Sequence, residues 1–445
     1  MKNYDIIIIG SGFKAMITAY FALKKYKNIL IIAKSEDIAG VMSPIKWKGG
    51  NFDKGYQFFD GLNIKQKELL NDFIGENILH DFGYGAASLT NKKLYSQHAL
   101  PYWPYKGIKF SLEIFLAYLV NFFKNEHKNE IIESYQDLIE NLPLKIKNIL
   151  QYECKRRLGI TPDKISYLVQ DFLPIFNYRQ TIFPDFFSNF LKKNFKYFNE
   201  RIASRRKSMN LDCISLYPKG KNIGFAAEKM QEKLTKNGVK IIEIDGLKIM
   251  NKEKLTVISK DQSFSCKKIF IVTELDDALN FFEDKITDEK NNYYLPQIFY
   301  YFTTDRINSK FQYVHGNDKD LLVNRGNNMS LYGEKTSENK FVLSAEVPAN
   351  PSSEVWKNAD QYTKIVWNEL KDMKLVAPDQ EYFEFEIFKL NKTVSLPLIS
   401  FKNTIEKLNK LIMNKFKDQV ELPGLGTISR AHFITALTKH FKGYE

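Results

Sequence analysis

The chain has 445 residues, 44% hydrophobic and 14% aromatic, which is longer than one ordinary core and apolar enough to bury two. Its formal charge of +13 comes mostly from lysines spread along the whole sequence, which argues against a specific nucleic-acid stripe. Three widely spaced cysteines, Cys154, Cys213 and Cys266, exclude a disulfide framework or a zinc spacing and fit a reducing cytoplasm.

Residues 5–15 run from an apolar strand, Ile6-Ile7-Ile8-Ile9, straight into Gly10-Ser11-Gly12-Phe13-Lys14-Ala15. The β-branched run suits a strand buried on both faces. Gly10 permits a tight turn, Gly12 lets backbone approach a pyrophosphate, and Ala15 is small enough for close helix–strand packing. A helix over 15–26 and a second parallel strand over 28–33 complete a βαβ unit that reads as dinucleotide-binding, with the anion on the helix N-terminus. Asp5 and the glycines interrupt any apolar leader, so no signal peptide is expected. Residues 35–61 read as a glycine-punctuated loop.

From 62 to 207 the pattern is largely helical, clearest at 67–74, 112–123, 129–149 and 186–205, with breaks at Pro101, Pro104, Pro143, Pro162 and Pro184. The apolar stretch 110–123 is shorter than the ~20 residues a spanning helix needs and reads as a core helix. Monotopic membrane contact is the alternative, because Tyr118, Phe122 and Phe123 are followed by Lys124. The basic clusters Lys192-Lys193 with Lys196, and Arg201 with Arg205-Arg206-Lys207, read as solvated helix faces.

A strand or loop at 215–220 precedes an amphipathic helix over 223–237. Strands follow at 239–244, 255–259 and 268–273, the last an apolar run of the buried parallel kind. Residues 297–303, 312–315, 321–324 and 340–346 alternate as an antiparallel sheet does. A helix over 356–375, a strand over 381–389, a helix over 404–416 and a last helix over 429–441 complete the chain.

In that order the elements resemble the FAD-dependent superfamily of monoamine oxidases, protoporphyrinogen oxidases and UDP-galactopyranose mutases. The likeness is carried by Gly10-Ser11-Gly12-Phe13-Lys14-Ala15-Met16, by 31–41, by Phe52-Asp53-Lys54-Gly55-Tyr56-Gln57-Phe58-Phe59, and by Arg157-Leu158-Gly159 with Phe176-Asn177-Tyr178-Arg179. It continues through 217–224, 238–241, 269–273 and Gly424-Leu425-Gly426-Thr427-Ile428. The resemblance implies an α/β chain with a Rossmann-like FAD-binding domain, formed by 1–61, 208–287 and 395–445. A substrate domain would interleave with it, made of a helical block (62–207) and an antiparallel sheet (288–394).

The resemblance implies FAD as cofactor, held by Gly10, Ser11, Gly12, Phe13, Lys14, Ala15, Ala33, Lys34, Ser35, Gly40, Val41, Met42, Gln57, Leu247, Gly424, Gly426, Thr427 and Ile428. The last helix would present its N-terminus to the pyrimidine oxygens of the flavin. Three positions depart from the family pattern. Ala33 stands where an acid would bind ribose, with Glu36 or Asp37 as substitutes from the next turn. Val41 replaces a cation, and Leu425 replaces the acid or arginine after Gly424.

Flavin carries its own redox chemistry, so neither a catalytic triad nor a metal is needed. The six histidines show no ligand spacing. His315 on the sheet and His432 in the last helix are the two placed to approach ligand, against the ordinary reading of structural histidines. Arg179 and Arg325 are candidate forks for an acidic small-molecule substrate such as a nucleotide sugar, against the ordinary reading of ion pairs. The 217–220 return and the chain length favour hydride transfer from substrate to flavin N5, with redox-neutral mutase chemistry and a non-catalytic relative with weakened FAD binding as the alternatives.

Overall fold

The computed structural model describes residues 2–35, 38–83, 85–96, 103–123, 132–140, 142–172, 176, 179–204, 214–251, 253–260, 262–427 and 429–442. Its first sheet runs Lys240–Glu243, Ile29–Ala33, Lys2–Ile9, Ser263–Ile271, Leu255–Ile258, Lys248–Asn251, with Val420–Glu421 also paired to Ser263–Ile271. Pairing is parallel from Lys240–Glu243 through Ser263–Ile271 and antiparallel beyond.

The isoleucine run explains why Lys2–Ile9 is central. Ile6 and Ile8 point to one side, where the helices Gly12–Ala22, Ile223–Lys236 and Arg430–Lys442 pack. Ile7 and Ile9 point to the other, against Phe401, Leu408 and Ile412 of the helix Ser400–Phe416. Alternate side chains of one strand therefore feed two cores.

A second sheet has the order Phe385–Pro397, Asn292–Thr304, Phe341–Pro348, Arg325–Asn328, Tyr313–Gly316, Ala86–Thr90, Lys93–Ser96. Trp367 of the helix Thr363–Asp372 is fully buried against its outer face. Phe59–Leu62, Ile214–Pro218 and Leu79–Asp81 form a separate three-stranded sheet. A third core gathers the helices Ile108–Phe123, Tyr135–Glu140, Leu144–Leu158 and Asp185–Asn194.

Several sequence expectations are corrected. Residues 86–96, placed within the helical block, instead complete the edge of the second sheet: Tyr313–Gly316 pairs in parallel with Ala86–Thr90. The loop expected over 35–61 contains the hairpin Ile45–Trp47/Gly50–Phe52. The helix expected over 129–149 is two helices, because Pro143 cannot continue the first and begins the second. The strand expected at 321–324 falls at Arg325–Asn328, and the helix expected over 186–205 ends at Asn194.

Candidate dinucleotide site

A cavity of about 660 Å³ opens at the carboxyl ends of Lys2–Ile9 and Ile29–Ala33. This is where open α/β sheets bind ligands. Gly10, Ser11, Gly12, Phe13 and Lys14 form its floor, Ala33, Lys34 and Leu247 one end, and Gly40 and Val41 a side wall. The opposite end is built by Tyr56, Phe58, Ser429, Arg430 and Phe433.

The floor is shaped by backbone. Gly10 and Gly12 have φ of +146° and +71°, in the region that glycine tolerates best. A Cβ on Gly10 would lie 2.9 Å from Val272, whereas one on Gly12 would meet only the Ala39 carbonyl at 3.7 Å. Gly40 packs so near that its Cβ would sit 3.3 Å from Gly12 Cα. Ser11 precedes the helix Gly12–Ala22 in extended conformation, its hydroxyl makes no capping bond, and the first turn has no acidic residue. The helix start therefore faces the cavity without a carboxylate of its own to neutralise it.

Two cations lie at this floor and at the opposite end. Lys14 projects from the first turn with its ammonium 5.6 Å from the Phe433 ring centre. Burial lowers its pKa, and the Glu274 charge opposes that. Arg430, at the start of the last helix, donates to the Phe58 carbonyl at 2.8 Å and to Gln57 Oε1 at 3.0 Å. Its guanidinium lies over the Phe59 ring. Burial brings it down to about 10, opposed by the Asp53 charge.

At the far end the missing strand-end acid has neighbours of the required kind. Asp245, Glu274 and Asp277 all line the cavity, and Asp277 holds Lys34 at 3.0 Å. Glu36 and Asp37 lie outside the described residues. A glycine cradle, an uncapped helix start, an enclosed lysine and carboxylates at the ribose end together fit an adenine dinucleotide.

The other expected cofactor residues distribute differently. Gln57 stands at the wall, donating to the Val41 carbonyl at 2.8 Å. Ala15 and Met42 are fully buried and serve the core, and Ser35 is exposed beyond Lys34. Gly424, Gly426 and Thr427 stand outside the lining. They form a tight turn in which the Thr427 hydroxyl donates to the Gly424 carbonyl, and a Cβ on Gly424 would strike Phe433. Ile428 lies outside the described residues.

Neither candidate arginine lines the cavity. Arg325 gives both arms of its fork to Glu346, at 2.9 and 2.7 Å, and so is the ion pair of the ordinary reading. Arg179 is exposed and donates to the Glu200 carbonyl, while Asn177 and Tyr178 lie outside the described residues. His432 is exposed on the last helix. His315 is enclosed beside Tyr313, and burial with Arg325 and Arg157 nearby holds its pKa well below the ordinary value.

Beyond Tyr56 the cavity abuts an aromatic cluster. Tyr56 lies 4.0 Å from Tyr313 and 5.8 Å from Tyr332, and Phe82 lies 5.2 Å from both Tyr217 and Tyr332. Arg430, Asp245, Glu274 and Asp277 were not anticipated. The signal for Arg430 was its place two residues after Ile428, at the start of a helix expected to face ligand. Among the described residues no cluster of three metal-ligating side chains occurs, and no helix is long and apolar enough to cross a membrane.

No family model and no curated protein matches the sequence. Solved structures do. A reduced UDP-galactopyranose mutase superposes with a TM-score of 0.71 at 13% identity, over 100% of this chain and 95% of that one. A putative protoporphyrinogen oxidase from Exiguobacterium sp. 255-15 gives 0.64 at 11% identity, over 100% and 98%. Putrescine oxidase bound to putrescine gives 0.63 at 10% identity, over 99% and 98%. From end to end, the chain has the fold of the amine-oxidase-like FAD superfamily.

Proposed function

We propose that the chain is an FAD-dependent oxidoreductase that takes hydride from a small-molecule substrate. The observation that carries this reading is the convergence, on one cavity, of the uncapped helix start at Gly12, the Lys14 ammonium and the Arg430 guanidinium. All three favour an elongated anion running from the adenine end to the last helix. A bound flavin would supply hydride acceptance at N5.

The chain's own residues do the rest. Gly12 keeps the floor open and Lys14 offers charge to a diphosphate. Asp245 and Asp277, which line the cavity, would accept hydrogen bonds from ribose hydroxyls, the task for which Ala33 has no side-chain oxygen. Arg430 and the N-terminus of the last helix put positive potential at the cavity's inner end, which would favour an electron-rich ring held there. The ring of Tyr56 would meet a substrate at the cavity wall, with Tyr313 and Tyr332 packed behind it.

Mutase chemistry on a nucleotide sugar requires a second diphosphate clamp. The arginines expected to form one are engaged elsewhere, which ranks the oxidoreductase reading first. The test is direct: purify the protein, release any bound chromophore, identify it, and titrate the stripped protein with FAD. A stoichiometric flavin that candidate amines or other electron donors reduce supports the proposal. A colourless protein whose fluorescence ignores added FAD overturns it in favour of a non-catalytic relative.

A further inference from the structure

The helix Ile108–Phe123 is apolar apart from Lys109, Ser111, Glu113 and Asn121, yet only one side packs. Phe110, Ile114 and Tyr118 enter the third core, and Phe115 stacks on Phe198 and meets Phe183 and Phe187 edge-on. At about 100° per residue, Ile108, Leu112, Leu116, Val120 and Phe123 fall on the opposite side, within an arc of about 120°. All five are at least 50% exposed, Ile108 reaching 88% and Phe123 77%. Tyr118, expected among membrane-facing aromatics, is instead in the core, and the Phe122 side chain is outside the described residues.

Neighbouring elements extend the face. Asp185–Asn194 packs beside this helix through Phe187 and leaves Phe186 and Phe190 exposed. Leu144 is 65% exposed next to Lys145, which pairs with Glu113. The polar residues bordering the face are mainly basic. Lys106 and Lys109 stand exposed at one end, and Lys193 and Lys196 follow Phe190 at the end of the neighbouring helix.

An apolar, aromatic-bearing ridge with lysines at its ends matches the interface of an anionic bilayer: rings and leucines enter the acyl boundary while ammonium groups meet lipid phosphates. A second copy of the chain fits less well, since a two-fold contact would bring like-charged lysine borders together. We infer that the ridge formed by Ile108–Phe123 and the exposed phenylalanines of Asp185–Asn194 docks this protein onto an anionic membrane surface, as a peripheral rather than a spanning attachment.

The experiment is co-sedimentation of the full chain with phosphatidylglycerol/phosphatidylcholine vesicles and with phosphatidylcholine vesicles. It compares the wild type, Leu116→Glu with Phe186→Glu, and Lys109→Glu with Lys193→Glu, each checked for an unchanged melting temperature. The inference expects at least tenfold more binding to anionic vesicles. That binding falls tenfold or more in the apolar pair, and falls in the lysine pair or at high salt. Absence of vesicle binding, or binding that the apolar pair leaves unchanged, overturns it. So does a concentration-dependent dimer, seen by light scattering, that the apolar pair dissolves while vesicles stay unbound.

Discussion

Gln57 ties Val41 to Arg430: its amide donates to the Val41 carbonyl at 2.8 Å, and its oxygen accepts from Arg430 at 3.0 Å. The side wall of the cavity and the last helix are thereby joined through one side chain. Arg430, 373 positions from Gln57, thus brings a cation to this wall.

Replacing Arg430 by Met should therefore loosen both the wall and the anion. The Phe58 carbonyl and Gln57 Oε1 lose their donor, and a charged hydrogen bond contributes about 1.5–3 kcal/mol. At about 1.4 kcal/mol per decade, flavin affinity should drop tenfold or more. Titration of the stripped variant with FAD, followed by fluorescence quenching, checks this. Unchanged affinity would remove Arg430 from the site.

Gly12→Val should abolish flavin retention while leaving the protein soluble. A φ of +71° costs a β-branched residue on the order of 1–2 kcal/mol, tolerable for a domain of this size. The branched side chain would stand on the floor where backbone must meet the diphosphate. A variant that purifies with its full flavin complement would show that this loop does not hold the cofactor.

Glu346 carries the second sheet's most enclosed ion pair. Besides Arg325 it accepts from the Tyr56 N–H at 2.9 Å and Asn327 Nδ2 at 3.0 Å. Glu346→Gln leaves a desolvated guanidinium without its counter-charge, which should cost about 3 kcal/mol or more in urea unfolding. Replacing both Arg325 and Glu346 by Met should recover part of that loss. If the double variant is no more stable than Glu346→Gln, the penalty does not come from the orphaned charge.

Legibility in the sequence followed the range of the contacts. The first βαβ unit could be read because Ile6–Ile9 declares burial on both faces and the glycines follow within three residues. Ala86–Thr90 could not: its Ala-Ala-Ser-Leu-Thr run has little β-branching or alternation, and all five residues are buried in a sheet it joins through Tyr313–Gly316, from far along the chain. The glycine-rich floor was legible for the same local reason. Arg430, Asp245 and Asp277 reach the cavity from separate elements, and no spacing rule connects them. Arg325 stood out as a scarce arginine, but only tertiary structure could show that Glu346 lies opposite it.

Asp53 makes stability depend on pH. Its carboxylate accepts from the Tyr217 hydroxyl at 2.6 Å and the Ile223 N–H at 2.8 Å, at the start of the helix Ile223–Lys236. Burial nevertheless raises it from 3.8 to about 7. The native state thus keeps this proton to higher pH than the unfolded chain does. Its contribution to stability declines as pH rises from 3.8 to about 7 and is level above that. Asp53→Asn can keep both partners, accepting from Ile223 and donating to the Tyr217 oxygen. Urea midpoints measured across this window should fall more steeply in wild type than in the variant, and parallel curves would contradict the assignment.

Lys14 separates binding from stability most sharply. An enclosed ammonium with no carboxylate in contact among the described residues costs free energy in the flavin-free protein, which is why burial lowers its pKa. The same charge becomes favourable once a diphosphate lies against the helix start. Lys14→Met keeps the length of the side chain and its packing on Phe433 while removing the cation. The stripped variant should melt higher than stripped wild type, whereas its FAD affinity should fall about tenfold or more, on the 1.4 kcal/mol-per-decade scale. Its binding should also depend less steeply on salt concentration, because one cation–phosphate attraction is gone. If melting temperature and affinity fall together, Lys14 supports the fold rather than the ligand, and the diphosphate rests on the helix start alone.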